Sequence, residues 1–118
     1  MGTFSARMGV GSRNGGGMWW VDAIVDTGAA YSVLPASILV DELGIEPEQD
    51  MQFTLADGTK RTFGVGEVLL SVEGQELVNR VVFGPDGRQL LGAASLQMFG
   101  LVADTTNHRL IPAPELTL

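Results

Sequence analysis

The 118-residue sequence predicts a single, mostly β-structured domain over residues 1–118, with one or two short helices. Its 16 glycines far outnumber its 5 prolines, which favours many tight turns between short strands. Apolar residues make up 45% of the chain and charged residues only 18%, so there is enough apolar material for a core. Short β-prone segments alternate with turn sequences along the chain, and this pattern is typical of all-β proteins.

The amino-terminal part of the chain predicts three strands and one helix. Residues 3–9 alternate loosely and predict the first strand, and a glycine-rich turn leads from it into the β-prone run Met18–Val25. A third short strand is predicted at Tyr31–Leu34. Pro35 is typical of a first helical turn and Gly44 of a helix end, and the residues between them give a short helix one apolar stripe.

Two hairpins are predicted in the centre of the chain. Asp57-Gly58 is a strong signal for a tight hairpin turn, and Glu73-Gly74-Gln75 marks a second one. The four strands that flank these turns are predicted at Phe53–Ala56, Arg61–Val65, Val68–Val72 and Leu77–Phe83.

The carboxy-terminal part predicts a helix between strands. Pro85-Asp86-Gly87 predicts a turn, and Leu90-Leu91-Gly92 then leads into a short helix over Ala93–Phe99, which Gly100 ends. The last two strands are predicted at Leu101–Ala103 and Arg109–Ile111, around the turn 104–107.

Composition excludes several classes of function. A net charge of −7 argues against nucleic acid or an anionic membrane as the main partner. The absence of cysteine excludes disulfides, cysteine-ligated zinc, iron–sulfur clusters and thiol catalysis, and the single histidine, His108, excludes a multi-histidine metal site in one chain. We therefore expect no cofactor and no metal. No segment approaches the about 20 apolar residues that span a bilayer, and no secretory signal is visible, so the expected localisation is cytoplasmic.

The sharpest local feature is the segment Ile24–Ala29, in which Asp26 follows an apolar strand and precedes Thr27 and Gly28. A carboxylate at the end of a buried strand is partly removed from water. The glycine allows the backbone to turn sharply and to approach a substrate closely, and the threonine hydroxyl can brace the turn. The same residues also fit an aspartate that only caps a tight turn, so this motif alone leaves both interpretations open.

The order of motifs resembles the aspartic proteases. Asp-Thr-Gly-Ala after two aliphatic residues is the signature of that family, and Leu90-Leu91-Gly92 before a short helix resembles its second conserved element. With a single Asp-Thr-Gly in a chain of this length, the sequence is similar to the retroviral-type (retropepsin-like) members. The resemblance runs from about Met18 to Ile111 and implies a closed, barrel-like β fold with its active site at a two-fold dimer interface.

The resemblance also implies roles for individual residues. Asp26 matches the catalytic aspartate, Thr27 the residue that locks the two motifs together across the dimer, and Gly28 the glycine whose backbone faces the substrate. Leu90, Leu91 and Gly92 match the residues that pack beneath this loop.

Residues 56–63 correspond to the flap, and the candidate substrate-binding residues are Ala29, Asp57, Gly58 and Thr59. Two departures stand out. Ala30-Tyr31-Ser32 replaces the acidic side chains of the retroviral enzymes, and the flap tip is polar rather than glycine-rich.

Peptide hydrolysis by this route needs two carboxylates, one to deprotonate water and one to polarise the scissile carbonyl. One motif per chain therefore predicts a homodimer that pairs Asp26 with its symmetry mate, acting as an aspartic endopeptidase on peptide or protein substrates. The alternative is a catalytically silent, dimeric peptide-binding module on the same fold.

Three remaining features receive structural interpretations. Asp104-Thr105-Thr106 lacks the glycine of an active-site motif and predicts a turn at a strand end. His108 is interpreted as a solvated turn residue. Trp19 and Trp20 point to opposite faces of a strand, so one is expected in the core and the other at solvent or a dimer partner.

Overall fold

The structure, a computed structural model, describes residues 3–114, and these contain nine strands and two short helices. The ends of the predicted domain, residues 1–2 and 115–118, lie outside the described residues. The strands are β1 (Ser5–Gly11), β2 (Trp19–Asp26), β3 (Ser32–Pro35), β4 (Gln49–Thr54), β5 (Lys60–Val72), β6 (Gln75–Gly84), β7 (Leu90–Gly92), β8 (Leu101–Asp104) and β9 (Arg109–Pro112). A short π-helix spans Ser37–Glu42 and the α-helix α1 spans Ala93–Phe99.

The main sheet closes on itself. Its strand order is β1-β2-β7-β3-β6-β5-β4, and β1 also pairs with β5, so the first six strands form a closed barrel. Among residues 3–114, strand β4 lies outside this ring and pairs only with β5, while β8 and β9 form a separate two-stranded ribbon. Closure removes the free edges of the barrel strands, and the predicted all-β, barrel-like fold with short helices is confirmed.

The core lies inside the barrel and under α1. On β2, Val21, Ala23 and Val25 are buried whereas the residues between them are exposed, as the two-residue period of a strand requires. Helix α1 buries Leu96 and Phe99 against the same core, and it ends where Gly100 takes a left-handed conformation (φ 67°).

Short strand β7 is the element that connects the two sequence motifs. It lies between β2 and β3, parallel to β2 and antiparallel to β3. The register with β2 places Val25 opposite Leu91 and Asp26 opposite Gly92. Residues more than 60 positions apart in sequence thus meet at one end of the barrel.

Several predicted elements are wrong in their bounds, including the strand predicted at Phe53–Ala56, which is observed as β4 at Gln49–Thr54. The separate strands at Arg61–Val65 and Val68–Val72 form one strand of 13 residues, β5. Gly66 lies within this strand because the backbone at Glu48 packs closely against it: a Cβ on Gly66 would stand 3.3 Å from the backbone nitrogen of Glu48. Pro35 ends β3 rather than opening a helix, which begins only at Ser37.

The prediction for the two tryptophans is also wrong, because neither enters the core. Trp19 is 39% exposed and Trp20 47% exposed. Trp19 lies beside the glycine-rich turn Gly15–Gly17, which has no side chains to cover it. The Trp20 ring lies close to Gly9 and under the Arg7 guanidinium, 5.6 Å from the ring centroid. Burial along β2 begins only at Val21.

Candidate active site

Asp26 is the last residue of β2 and is half-buried at the start of a tight turn. Its Oδ1 accepts a hydrogen bond from the Gly28 N–H at 3.0 Å, and its main-chain carbonyl accepts one from the Ala29 N–H at 3.2 Å. A Cβ on Gly28 would stand 3.3 Å from the same Oδ1, so a glycine at this position avoids a tight contact with the carboxylate. Thr27 and Gly28 are exposed at the end of the barrel.

The main chain that follows the turn is tied to the first residues of α1. Ala93 donates its N–H to the carbonyl of Ala29 at 2.8 Å, and Ala94 donates to the carbonyl of Ala30 at 3.0 Å. The first N–H groups of a helix have no partner within the helix, so the loop carbonyls satisfy two of them. The candidate catalytic loop is therefore fixed from both ends, by β2 before it and by α1 behind it.

Gly92 allows the close contact between α1 and the loop. A Cβ at this position would lie 2.5 Å from the carbonyl oxygen of Tyr31 and 2.9 Å from that of Ala29. The glycine has an extended conformation (φ −94°, ψ 176°) open to any residue, so space rather than conformation requires it. The structure pairs Leu90–Gly92 with Ile24–Asp26 and brings Gly92 against the loop that follows Asp26.

Two buried serines, which the sequence analysis missed, complete this contact. Ser32 Oγ accepts the N–H of Gly92 at 3.0 Å and lies 2.6 Å from Ser95 Oγ. The two residues are 0% and 2% exposed. A buried hydroxyl is costly without a partner, so two serines on the apolar faces of β3 and α1 were the available signal. They link β3 and α1 to Gly92, the residue that lies opposite Asp26 in the sheet.

A pocket of about 390 Å³ opens next to the loop, and of its lining residues only Ala29 was predicted from the sequence to bind substrate. Ala29 and Ala30 form one side, directly after the Asp26 turn. Aromatic rings form another side: Tyr31 meets Phe53 edge to face at 6.1 Å between centroids, and Phe53 meets Phe63 at 6.1 Å. The other lining residues are Val33, Thr54, Leu55, Arg61, Val82, Gly84, Pro85 and Arg88.

Asp57, Gly58 and Thr59 form the tip of the β4–β5 hairpin. Asp57 Oδ1 accepts the Thr59 hydroxyl at 2.6 Å and the Thr59 N–H at 2.9 Å. These two hydrogen bonds, the hydroxyl first, hold the pKa of Asp57 below its ordinary value. Of the predicted substrate-binding residues, Ala29 lines the pocket, whereas the three tip residues lie outside its lining.

Asp104-Thr105-Thr106 lies away from this site, at the turn between β8 and β9. The Asp104 carboxylate accepts Asn107 Nδ2 at 2.9 Å and Arg109 Nε at 3.2 Å, and these donors, Asn107 first, lower the pKa of Asp104. Its interpretation as a turn is confirmed. His108 is exposed beside it and stacks on Phe4, with 5.9 Å between ring centroids.

Within residues 3–114, no cluster of three or more His, Asp or Glu side chains is placed to hold a metal ion. Over the same range, no helix is both long enough and apolar enough to cross a membrane.

Comparison with known proteins decides the family. The sequence model of a family described as aspartyl protease matches residues 14–94, more than half of the chain and both motifs. This chain belongs to the aspartyl protease family. Its fold is similar to that in the solution structure of Simian Foamy Virus (mac) protease, with a TM-score of 0.58, 20% identity, and coverage of 80% of this chain and 93% of that one. No curated protein matches the sequence. The resemblance to retropepsin-like aspartic proteases is confirmed.

Proposed function

We propose that this retropepsin-like protease is an aspartic endopeptidase whose active site forms when two copies bring their Asp26 carboxylates together. The observation that carries the proposal is the Asp26 turn, which holds a half-buried carboxylate at the end of β2 and leaves Thr27 and Gly28 exposed. The sequence contains one Asp-Thr-Gly motif, so the second carboxylate has to come from a second chain.

The chemistry follows from a pair of carboxyl groups that share one proton. The ionised Asp26 takes a proton from a water molecule, whose oxygen attacks the carbonyl carbon of the scissile bond. The protonated Asp26 of the other copy gives its proton to the carbonyl oxygen, which produces a neutral tetrahedral diol. When the C–N bond breaks, the first carboxyl returns its proton to the leaving nitrogen and the second takes one back from a diol hydroxyl.

The neighbouring residues take supporting roles in this proposal. Thr27 of each copy locks the two turns together across the axis, and Gly28 presents its backbone to the substrate. Ala29 lies at the pocket wall, where a substrate side chain enters. The hairpin tip with Asp57, Gly58 and Thr59 is the flap that closes over the peptide.

The test is a cleavage assay with a mixed peptide library, followed by mass spectrometry, between about pH 4 and pH 7 and at several protein concentrations. We expect cleavage that rises faster than linearly with protein concentration and disappears in Asp26→Asn. Asp22→Asn is the matched control: Asp22 lies on the exposed face of the same strand, 4.0 Å from Arg7. It should leave cleavage unchanged.

Cleavage that survives in Asp26→Asn would refute the proposal. A wild-type dimer that binds peptides and leaves them uncut under all conditions would instead support the silent peptide-binding module.

A further inference from the structure

We infer that the pocket beside the Asp26 loop selects substrate segments in which a large apolar residue and a carboxylate lie two positions apart. This inference names the substrate class of the proposed endopeptidase and rests on that function. It is carried by a juxtaposition: an aromatic-walled pocket next to the loop, with Arg61 and Arg88 in its lining.

The apolar part of the pocket fits a bulky side chain. Its volume is about 390 Å³. Ligand pockets in proteins usually have volumes of about 300–1,000 Å³, so this pocket is large enough for a ligand group. Tyr31, Phe53 and Phe63 surround it with ring faces and edges, and Val82 is buried in its lining. Aromatic rings gain most from contact with another ring or a large aliphatic group, so the pocket favours Phe, Tyr, Leu or Met over a small or polar residue.

The charges at the pocket oppose those of the chain as a whole. The chain carries a net charge of −7, yet the pocket lining includes two arginines and no acidic residue. Among the described residues, neither Arg61 nor Arg88 has a carboxylate within 4.0 Å, whereas Arg7, Arg13 and Arg109 do. Asp86, two residues before Arg88, instead accepts the Ser37 hydroxyl at 2.7 Å. Both arginine residues are exposed.

Arg61 is held in a position that suits this role. Its guanidinium lies over the Phe63 ring, 5.1 Å from the centroid, so the aromatic face restrains the group. The N–H edge of a guanidinium stacked in this way stays free for a carboxylate, which it binds with two parallel hydrogen bonds.

The pocket also lies where a substrate strand passes. Ala29 and Ala30 belong to its lining and follow Gly28 directly, so a peptide that runs across the Asp26 turn reaches the pocket within a few residues. In an extended peptide, residues two positions apart point to the same face. A bulky side chain in the pocket therefore brings the residue two positions away to the same side as the arginines.

The inference is tested with pairs of peptides that differ only by Glu or Gln two positions from a Phe residue. We expect kcat/KM to be about 5- to 10-fold higher for the Glu peptide, as for a charge-assisted contact at a partly exposed site. Arg61→Gln and Arg88→Gln should each reduce this preference towards 1, measured as the ratio of kcat/KM for the Glu peptide to that for the Gln peptide within each variant. Arg80→Gln is the control, because Arg80 lies on β6 outside the pocket lining. It should keep the full preference.

Peptide binding to the Asp26→Asn protein, measured by fluorescence anisotropy, separates this inference from the proposed function. Preferential binding of the Glu peptide that is lost in Arg61→Gln or Arg88→Gln supports the inference even if no peptide is cut. Equal binding and equal cleavage of both peptides would overturn it and leave the endopeptidase proposal standing. The separate arginine variants and their melting temperatures show whether a lost preference reflects lost folding.

Discussion

Replacement of Gly92 by alanine tests the contact that holds the catalytic loop. The added methyl group would lie 2.5 Å from the Tyr31 carbonyl oxygen, 2.6 Å from its carbonyl carbon and 2.9 Å from the Ala29 carbonyl oxygen. All three atoms belong to the backbone, so no side-chain rotation relieves the overlap. Either the loop or β7 has to move, and this movement would lengthen the hydrogen bond of 2.8 Å from the Ala93 N–H to the Ala29 carbonyl.

The expected loss of stability follows from two effects. Forcing an extra methyl group into a packed site costs about 1–3 kcal/mol. Weakening one buried hydrogen bond between α1 and the loop adds about 0.5–1.5 kcal/mol. Together they lower the free energy of unfolding by about 1.5–4.5 kcal/mol. At about 4 °C per kcal/mol for a chain of this size, this lowers Tm by about 6–18 °C.

Thermal unfolding followed by circular dichroism measures this change, and Gly17→Ala is the matched control. Gly17 has no atom within 4 Å of the added Cβ and no positive φ, so the same substitution should leave stability within about 0.5 kcal/mol of the wild type. A Gly92→Ala protein that melts within about 2 °C of the wild type would show that the loop yields freely, and the reasoning on its fixed position would fail.

Two further predictions concern the hydroxyl groups of the site. Ser95→Ala removes the partner of the buried Ser32 hydroxyl, at 2.6 Å, and should lower the free energy of unfolding by about 1–3 kcal/mol in urea titrations; an unchanged midpoint would contradict this. The lowered pKa of Asp57 contributes stability that is present above its unfolded value and is lost as the pH falls through the folded value. Thr59→Ala removes the hydroxyl hydrogen bond and should raise the pKa of Asp57 in an NMR titration. An unchanged pKa would refute the assignment of the shift chiefly to the Thr59 hydroxyl.

Features with local causes could be predicted from the sequence. The bounds of α1 agree at both ends, because Gly92 and Gly100 flank the helix and Gly100 supplies the left-handed residue that ends it. The hairpin at Asp57-Gly58 also agrees, since a turn with positive φ at Gly58 (86°) is set by the turn residues alone. In β5 the glycine misled the prediction. Gly66 suggests a break between two strands, but it lies within one continuous strand and makes room for the backbone at Glu48.

Features that depend on distant residues could not be predicted in the same way. The Ser32–Ser95 hydrogen bond joins residues 63 positions apart. Their positions on apolar faces indicate that each serine needs a partner, but not which residue that partner is. The aromatic wall combines Tyr31 on one segment with Phe53 and Phe63 on the β4–β5 hairpin. The prediction that one tryptophan is buried was wrong for a related reason. Strand alternation indicates which face of the sheet a residue points to, but not what covers that face.

Contacts within a single chain fix the conformation of the Asp26 loop, so this conformation does not depend on dimer formation. The bonds from Ala93 and Ala94, with the close approach at Gly92, hold the loop within one chain. Under the proposed function, two loops that are already ordered meet at the axis, so association does not bear the cost of ordering them. Substitutions at Gly92 should therefore lower activity and thermal stability together. Arg61 and Arg88 take no part in these contacts, so substitutions there should change which peptides are cut while lowering Tm much less than Gly92→Ala does.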